Sequence, residues 1–283
     1  MTTPIQTRID LSMLRQMAAT GRKIAMLTAY DYPTAAAAEA AGVHALLIGD
    51  SMGTVLLGHP NTRGTPLALM ITLGEAVRRG APHVFLIGDM PYEAATQGPD
   101  AALAAARRFR DEAGCDAIKV EAGPTDEGLI ARLAQAGIPT IAHLGLRPQQ
   151  VLSRSGYRAQ ARDAQAIGAL VADARRMLAA GAAMLLLEAV PNEASQAVVS
   201  AVDVPVIGCG AGPACHGHVL VTQDMLGWGT AQPPRFVPVH AHLNDVILSA
   251  MRRYVEDVVS GRYPGPQHAY PLRPGPSSPA ACP

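Results

Sequence analysis

The chain has 283 residues, of which 49% are hydrophobic and only 4% aromatic, and its 23 basic and 23 acidic side chains balance to zero. That length supports a substantial core as one large domain or two small ones. Balanced, unclustered charge lacks the electrostatic footprint of a nucleic-acid or membrane-surface binder, which leaves a small molecule as the expected partner.

In chain order, "DLSMLRQMAAT" reads as a helix ahead of the first strand, placed to cap the bottom of what the strands enclose. Strands are expected in "KIAMLTA" from Lys23, "VHALLIG" from Val43, "HVFLIG" from His83 and "DAIKVE" from Asp116. Further strands are expected in "IPTIAH" from Ile138, "AMLLLE" from Ala183 and "VPVIGC" from Val204, with a weaker eighth in "HVLVT" from His218. Between them lie Ala-rich helical runs such as "PDAALAAARRFRDEAG" and "DAQAIGALVADARRMLAAG", several closed by the Gly expected just past a helix C-terminus. Apolar strands regularly interleaved with helices imply a parallel sheet covered by helices. About eight such units match an α/β fold of the (β/α)8 TIM-barrel kind, with a doubly wound open sheet as the alternative. The barrel is expected as a single domain over residues 1–262, and residues 263–283, rich in Pro, as a flexible tail.

No apolar stretch spans a membrane without Gly, Pro or charge, and the N-terminus lacks the apolar core of a secretory signal. Cys115, Cys209, Cys215 and Cys282 follow no zinc spacing. The expectation is a soluble, cytoplasmic protein with reduced thiols, Cys115 acting as a small buried hydrophobe.

Chemistry in a barrel sits where the strands end. The first expected strand ends in Tyr30 and Asp31, the second in Asp50 and Ser51, the third in Asp89. The fourth carries Lys119 and Glu121, two residues apart and so on one face of the strand. The fifth ends in His143 and the sixth in Glu188, while the seventh runs into the glycine turn "GCGAG". An Asp after a strand is often only the N-cap of the next helix, a reading that stands for Asp31 and Asp89 taken singly. Recurrence at the same end of consecutive strands points instead to one polar mouth. Several carboxylates converging there call for a cation, and oxygen ligands completed by water and a chelating substrate suit Mg2+. Lys119 among them is placed to hold a substrate carboxylate or enolate oxygen. The glycines of "GCGAG" read as permitting close backbone approach rather than as a phosphate cradle.

The segments "LTAYDY", "LLIGDSMG", "AVRRGAP", "AIKVEAG", "AHLGLRPQ", "GYRAQAR", "LLLEAVP", "VPVIGCGAG" and "VVSGRYPG" occur in this order. Together they resemble the ketopantoate hydroxymethyltransferase family over roughly residues 24–265. The resemblance implies a barrel of the phosphoenolpyruvate mutase and isocitrate lyase type. It also implies transfer of a one-carbon unit from 5,10-methylenetetrahydrofolate to the 2-oxo acid 3-methyl-2-oxobutanoate, giving 2-dehydropantoate for pantothenate synthesis. Carried over motif by motif, it makes Asp50, Asp89 and Glu121 the Mg2+ residues. Asp50, Ser51, Asp89, Lys119 and His143 become substrate-binding, Glu188 the proton acceptor, and the assembly a homo-oligomer, commonly a decamer. A Mg2+-dependent C–C lyase or aldolase acting on another 2-oxo acid, or a binding protein without turnover, is the alternative.

Two segments depart from the family pattern. Arg63-Gly64-Thr65-Pro66 replaces the usual turn after "GHPNT", with Leu73 near a usual His, and His216 and His218 follow "GCGAG" where Asp-Gly-Gln is usual. The two histidines read as loop residues rather than a metal pair.

Overall fold

A computed structural model describes residues 7–151, 157–230 and 232–271. The strands are β1 Ile24–Thr28, β2 Ala45–Ile48, β3 Phe85–Asp89, β4 Ala117–Glu121, β5 Thr140–Gly145, β6 Met184–Glu188, β7 Val206–Cys209 and β8 Gly217–Leu220. All are parallel, and they pair in sequence order into a closed barrel in which β8 returns to β1. Closure rules out the doubly wound sheet, because β1 has a partner on each side.

The first helix, α1 (Leu11–Ala19), is capped by the Asp10 carboxylate, which accepts from the Met13 N–H at 2.9 Å. Its Leu14 and Met17 belong to the same apolar cluster as Met26, Phe85, Ile141 and Ile207, the inward-facing strand residues. The opening helix therefore plugs the bottom of the barrel, as its sequence implies. Outside the strands run α2 (Tyr32–Ala40), the single turn α3 (Met52–Val55), α4 (Leu67–Gly80), the short α5 (Tyr92–Thr96), α6 (Pro99–Asp111), α7 (Glu127–Gln135), α8 (Ala164–Ala179) and α9 (Asn192–Val199). Outward strand residues such as Leu46, Leu86, Val120 and Leu185 form the larger core with these helices. Leu73 of α4 packs at the edge of that core.

After β8 the pattern changes. A single turn, α10 (Thr222–Met225), is followed by an extended segment and then by α11 (Leu243–Val259). The start of α11 is tied to α10 through the Leu243 N–H to the Leu226 carbonyl at 3.0 Å, yet none of its residues is buried. Val246, Met251, Tyr254, Val255 and Val259 are each more than half exposed, and Met251, Tyr254, Val255 and Val258 share one helical face. Tyr263 then stands edge-on to Tyr254, ring centroids 5.6 Å apart. The last part of the expected tail, 272–283, lies outside the described residues.

Candidate active site

Strand parity builds the site. Along each strand alternate residues face inward, and on β3 the inward row is Phe85, Ile87 and then Asp89; on β4 it is Ala117, Lys119 and Glu121. On β5 and β6 the same row passes from Ile141 to His143, and from Met184 and Leu186 to Glu188. The interior is apolar at the bottom and ionisable at the C-terminal mouth. Register then sets neighbours: Asp89 pairs with Lys119 and Glu121 with His143.

Asp89 and Lys119 meet as their pairing requires, and the contacts continue across the mouth to His143 and Glu188. Lys119 Nζ lies 2.6 Å from Asp89 Oδ1 and 3.3 Å from His143 Nδ1. His143 Nε2 in turn lies 3.1 Å from Glu188 Oε2. An ammonium has no lone pair, so Nδ1 of His143 accepts from it, and a neutral ring then carries its proton on Nε2, toward Glu188. Burial lowers the His143 pKa, and Lys119 lowers it further, against the pull of Glu188. Burial also opposes the charge on Lys119, but Asp89, Asp50 and Glu121 outweigh it and hold the ammonium protonated. Asp89 Oδ1 and His143 Nε2 are buried, and although each has its ionic neighbour close by, neither has an aligned hydrogen bond. Such under-satisfied groups mark a place for a ligand.

Asp50 and Ser51 lie beyond β2, in the turn that enters α3. The Asp50 N–H donates to Asp89 Oδ2 at 3.0 Å, and Gln149 Nε2 donates to Asp50 Oδ2 at 2.9 Å. Ser51 Oγ is hydrogen-bonded to the Tyr30 hydroxyl at 2.8 Å, which ties the ends of β1 and β2 together. Both oxygens of Glu121 accept from the Gln149 N–H, at 3.0 and 3.1 Å. Burial is the first cause that raises the carboxyls of Asp89 and Glu121; Lys119 pulls both down, and Asp50 repels both.

Asp50, Asp89 and Glu121 are hard oxygen donors, and burial, with Asp50 beside them, raises the carboxyls of Asp89 and Glu121, a donor set that fits a hard divalent cation. Among the described residues no three His, Cys, Asp or Glu side chains form a ready ligand group. The three carboxylates offer oxygen only, the ligand chemistry of hard cations.

Other expectations resolve differently. Asp31 is a helix cap, accepting from the Thr34 N–H at 2.7 Å, and takes no place at the mouth. Asp89 caps nothing; α5 begins after Pro91. In "GCGAG", Gly210 has φ of 63° and a Cβ there would stand 2.6 Å from the Phe236 ring, so the glycine serves close approach. Gly145 at the end of β5 has φ of 89° and lies against the Glu188 backbone, which lets Leu146 N–H reach the Glu188 carbonyl at 2.9 Å. His216 Nδ1 accepts from the Val206 N–H at 3.0 Å, closing backbone between β7 and β8, and His218 is an exposed residue of β8 rather than of a loop. Cys115 is buried, and burial pushes its thiol well up, as a packing cysteine requires. Two mouth residues carried no signal of their own: Gln149, neutral and on a loop, and Cys209, which pairs in register with Glu188. "AHLGLRPQ" contains Gln149, and only the strand parity of β7 points to Cys209.

A closed barrel of this build, with carboxylates, an ammonium and an imidazole gathered at one mouth, has the fold of the phosphoenolpyruvate mutase/isocitrate lyase superfamily. 2,3-Dimethylmalate lyase, a named member of it, superposes with a TM-score of 0.59 at 19% identity, over 91% of this chain and 92% of that one. Phosphoenolpyruvate phosphomutase from Streptomyces platensis subsp. rosaceus gives 0.60 at 15% identity, over 93% and 92%. The sequence narrows the class: residues 8–266 match the family ketopantoate hydroxymethyltransferase. Over 253 residues the chain is 42% identical to the 3-methyl-2-oxobutanoate hydroxymethyltransferase of Geobacillus kaustophilus (strain HTA426), covering 89% of this chain and 91% of that protein. The protein of the same name from Mycobacterium ulcerans (strain Agy99) is 41% identical over 265 residues, covering 94% and 89%. The chain belongs to the ketopantoate hydroxymethyltransferase family and is in class a transferase enzyme.

Proposed function

We propose that this protein transfers a hydroxymethyl unit from 5,10-methylenetetrahydrofolate to 3-methyl-2-oxobutanoate, giving 2-dehydropantoate, with residues 1–262 as the working barrel. The observation that carries the reading is the run of contacts Asp89–Lys119–His143–Glu188 across β3 to β6, beside Asp50 and Glu121. It stands in a chain whose relatives bear the name of that reaction.

Asp50 and Asp89, with Glu121 near them, would hold Mg2+. Bound there, the cation supplies Lewis-acid polarisation of a chelating 2-oxo acid, which acidifies the hydrogen on C3. Glu188 ends β6 at the mouth and is only partly exposed, with side-chain accessibility of 16%. It takes the C3 proton as general base. The His143 ring stands beside it, with Nε2 3.1 Å from Oε2. Lys119 keeps its charge and stands by the developing enolate oxygen. Ser51, fixed by Tyr30, completes the substrate side. No observation favours a C–C lyase or a binding protein without turnover.

The protein is read as a homo-oligomer, a decamer by its family, and as cytoplasmic. An apolar face on α11 that the described residues leave bare supports the assembly. Free thiols at Cys115, Cys209 and Cys215 support a reducing compartment. Light scattering tests the first: a monomer at micromolar concentration refutes it. The reaction is tested with purified protein, Mg2+, methylenetetrahydrofolate and a panel of 2-oxo acids, reading product by mass spectrometry. A mass gain confined to 3-methyl-2-oxobutanoate is expected; no product from any 2-oxo acid overturns the reading.

A further inference from the structure

Gln149 lies in the 3-10 turn Pro148–Gln150 just past β5 and is 2% exposed. Each of its nitrogen donors is engaged at the mouth. The backbone N–H serves both oxygens of Glu121. The side-chain amide nitrogen donates to Asp50 Oδ2 and to the Met90 carbonyl, both at 2.9 Å. Its backbone carbonyl accepts from Arg63 Nε at 2.5 Å, and the Arg63 guanidinium lies over the Tyr92 ring, 4.4 Å from its centroid. One buried glutamine thus joins the ends of β2, β3 and β4 to the segment before α4.

The chemistry of the amide matters here. Its two N–H groups bridge a carboxylate and a carbonyl without adding charge. A cationic side chain in that place would cancel part of the negative charge that draws a cation. An apolar one would strip Asp50 Oδ2 and the Met90 carbonyl of a donor they share.

We propose that Gln149 is a positioning residue for the cation site: its side chain fixes Asp50, and its backbone N–H holds Glu121, so that both carboxylates are set before the ion arrives. Arg63, standing in one of the segments that depart from the family pattern, secures the turn from the other side. This rests on the metal-dependent reading above. Groups that orient ligands from behind change metal affinity by roughly 10–100-fold when removed.

The test is Mn2+ titration of the substrate-free protein, followed by electron paramagnetic resonance, for Gln149→Ala and for the near-isosteric Gln149→Met. Circular dichroism and the unfolding midpoint check that each variant is folded, and the Met variant carries the same expectation where the Ala variant does not fold. Binding is expected to weaken by roughly 10–100-fold. In parallel, the apparent Mg2+ requirement for product formation should rise by a similar factor, while kcat at saturating Mg2+ recovers to within about threefold of the parent, a split that general loosening of the fold does not produce. Mn2+ affinity within about twofold of the parent, or tighter binding, overturns the assignment. A parent protein that binds no Mn2+ overturns the metal-dependent reading together with this one; a parent that binds beside variants that bind equally overturns this one alone.

Discussion

Two charged networks sit at opposite ends of the same barrel, and they are built differently. At the bottom, Asp116 just before β4 accepts from Arg78 and Arg8, both at 2.6 Å, and from the Leu86 N–H at 2.8 Å. Arg78 also reaches the carbonyls of Ala81, Pro82, Val84 and Gly114 at 3.0 to 3.3 Å, so all three guanidinium nitrogens are engaged. At the mouth, Asp89 lies 2.6 Å from Lys119 and His143 3.1 Å from Glu188, yet each keeps a buried atom without an aligned hydrogen bond. The saturated network suits a part that holds the fold; the other, in the reading proposed above, is where substrate binds, so stability and chemistry take opposite ends of the barrel axis.

Four substitutions break or sharpen that contrast. The largest effect is expected from Glu188→Gln, which keeps the shape but cannot take a proton. Exchange of the C3 hydrogen of 3-methyl-2-oxobutanoate with solvent deuterium, followed by NMR without folate, should slow by roughly 10²–10⁴-fold. Equal exchange in parent and variant removes Glu188 from the mechanism. Asp89→Asn comes next: the amide still accepts from Lys119, but a charge is lost from the carboxylates that would hold the cation. Turnover should fall by roughly 10²–10³-fold, while calorimetry finds stability within about 1 kcal/mol of the parent, because burial already opposes the Asp89 charge and Asp50 and Glu121 still face Lys119.

At the bottom the pattern should invert. Arg78→Ala leaves the carboxylate of Asp116 and several carbonyls short of donors, and urea unfolding should register a loss of about 2–3 kcal/mol, at the low end for a broken buried pair because both partners keep some solvent contact. Turnover per folded molecule should stay unchanged; a large loss there would mean that the two ends are coupled. The smallest effect is expected from Arg8→Ala. Arg8 makes an equally short contact to Asp116, but its side chain is 52% exposed, so about 0.5–1 kcal/mol is the ceiling. Comparing Arg8 with Arg78 shows that bond length alone does not set the cost: burial and the carbonyl bonds of Arg78 make the difference.

Much of this molecule is legible in its sequence because a parallel barrel obeys two simple periodicities. Each of the eight expected strand segments overlaps an observed strand, and the spacing of Lys119 and Glu121 puts both on one face, which the structure turns inward. Asp31 and Asp89 show where that logic stops: each follows or ends a strand, and only the contacts made by their side chains tell a helix cap from a mouth residue. Gln149 escaped because nothing in a neutral side chain on a loop announces that it faces two carboxylates from other strands. His216 lies in a loop as expected, but its ring accepts a backbone N–H that no sequence period encodes, and His218 falls in β8 instead. For α11 the amphipathic pattern is plain, but a pattern says only that one face is apolar, and this helix shows that its own barrel does not cover it.

Of the 23 basic residues only Lys23 and Lys119 are lysines. Lys119 is 4% exposed and held at the mouth. Lys23 is exposed just before β1, its ammonium resting on the carbonyls of Pro213 and Cys215 at the opposite end of the barrel. For amine-directed chemistry, the barrel therefore offers a single accessible side-chain handle. Acylating dyes, cross-linkers or a sensor surface that couple there will grip the molecule by its base and leave the substrate entrance facing solution. A fluorophore introduced this way becomes a built-in reporter that does not compete with the reaction.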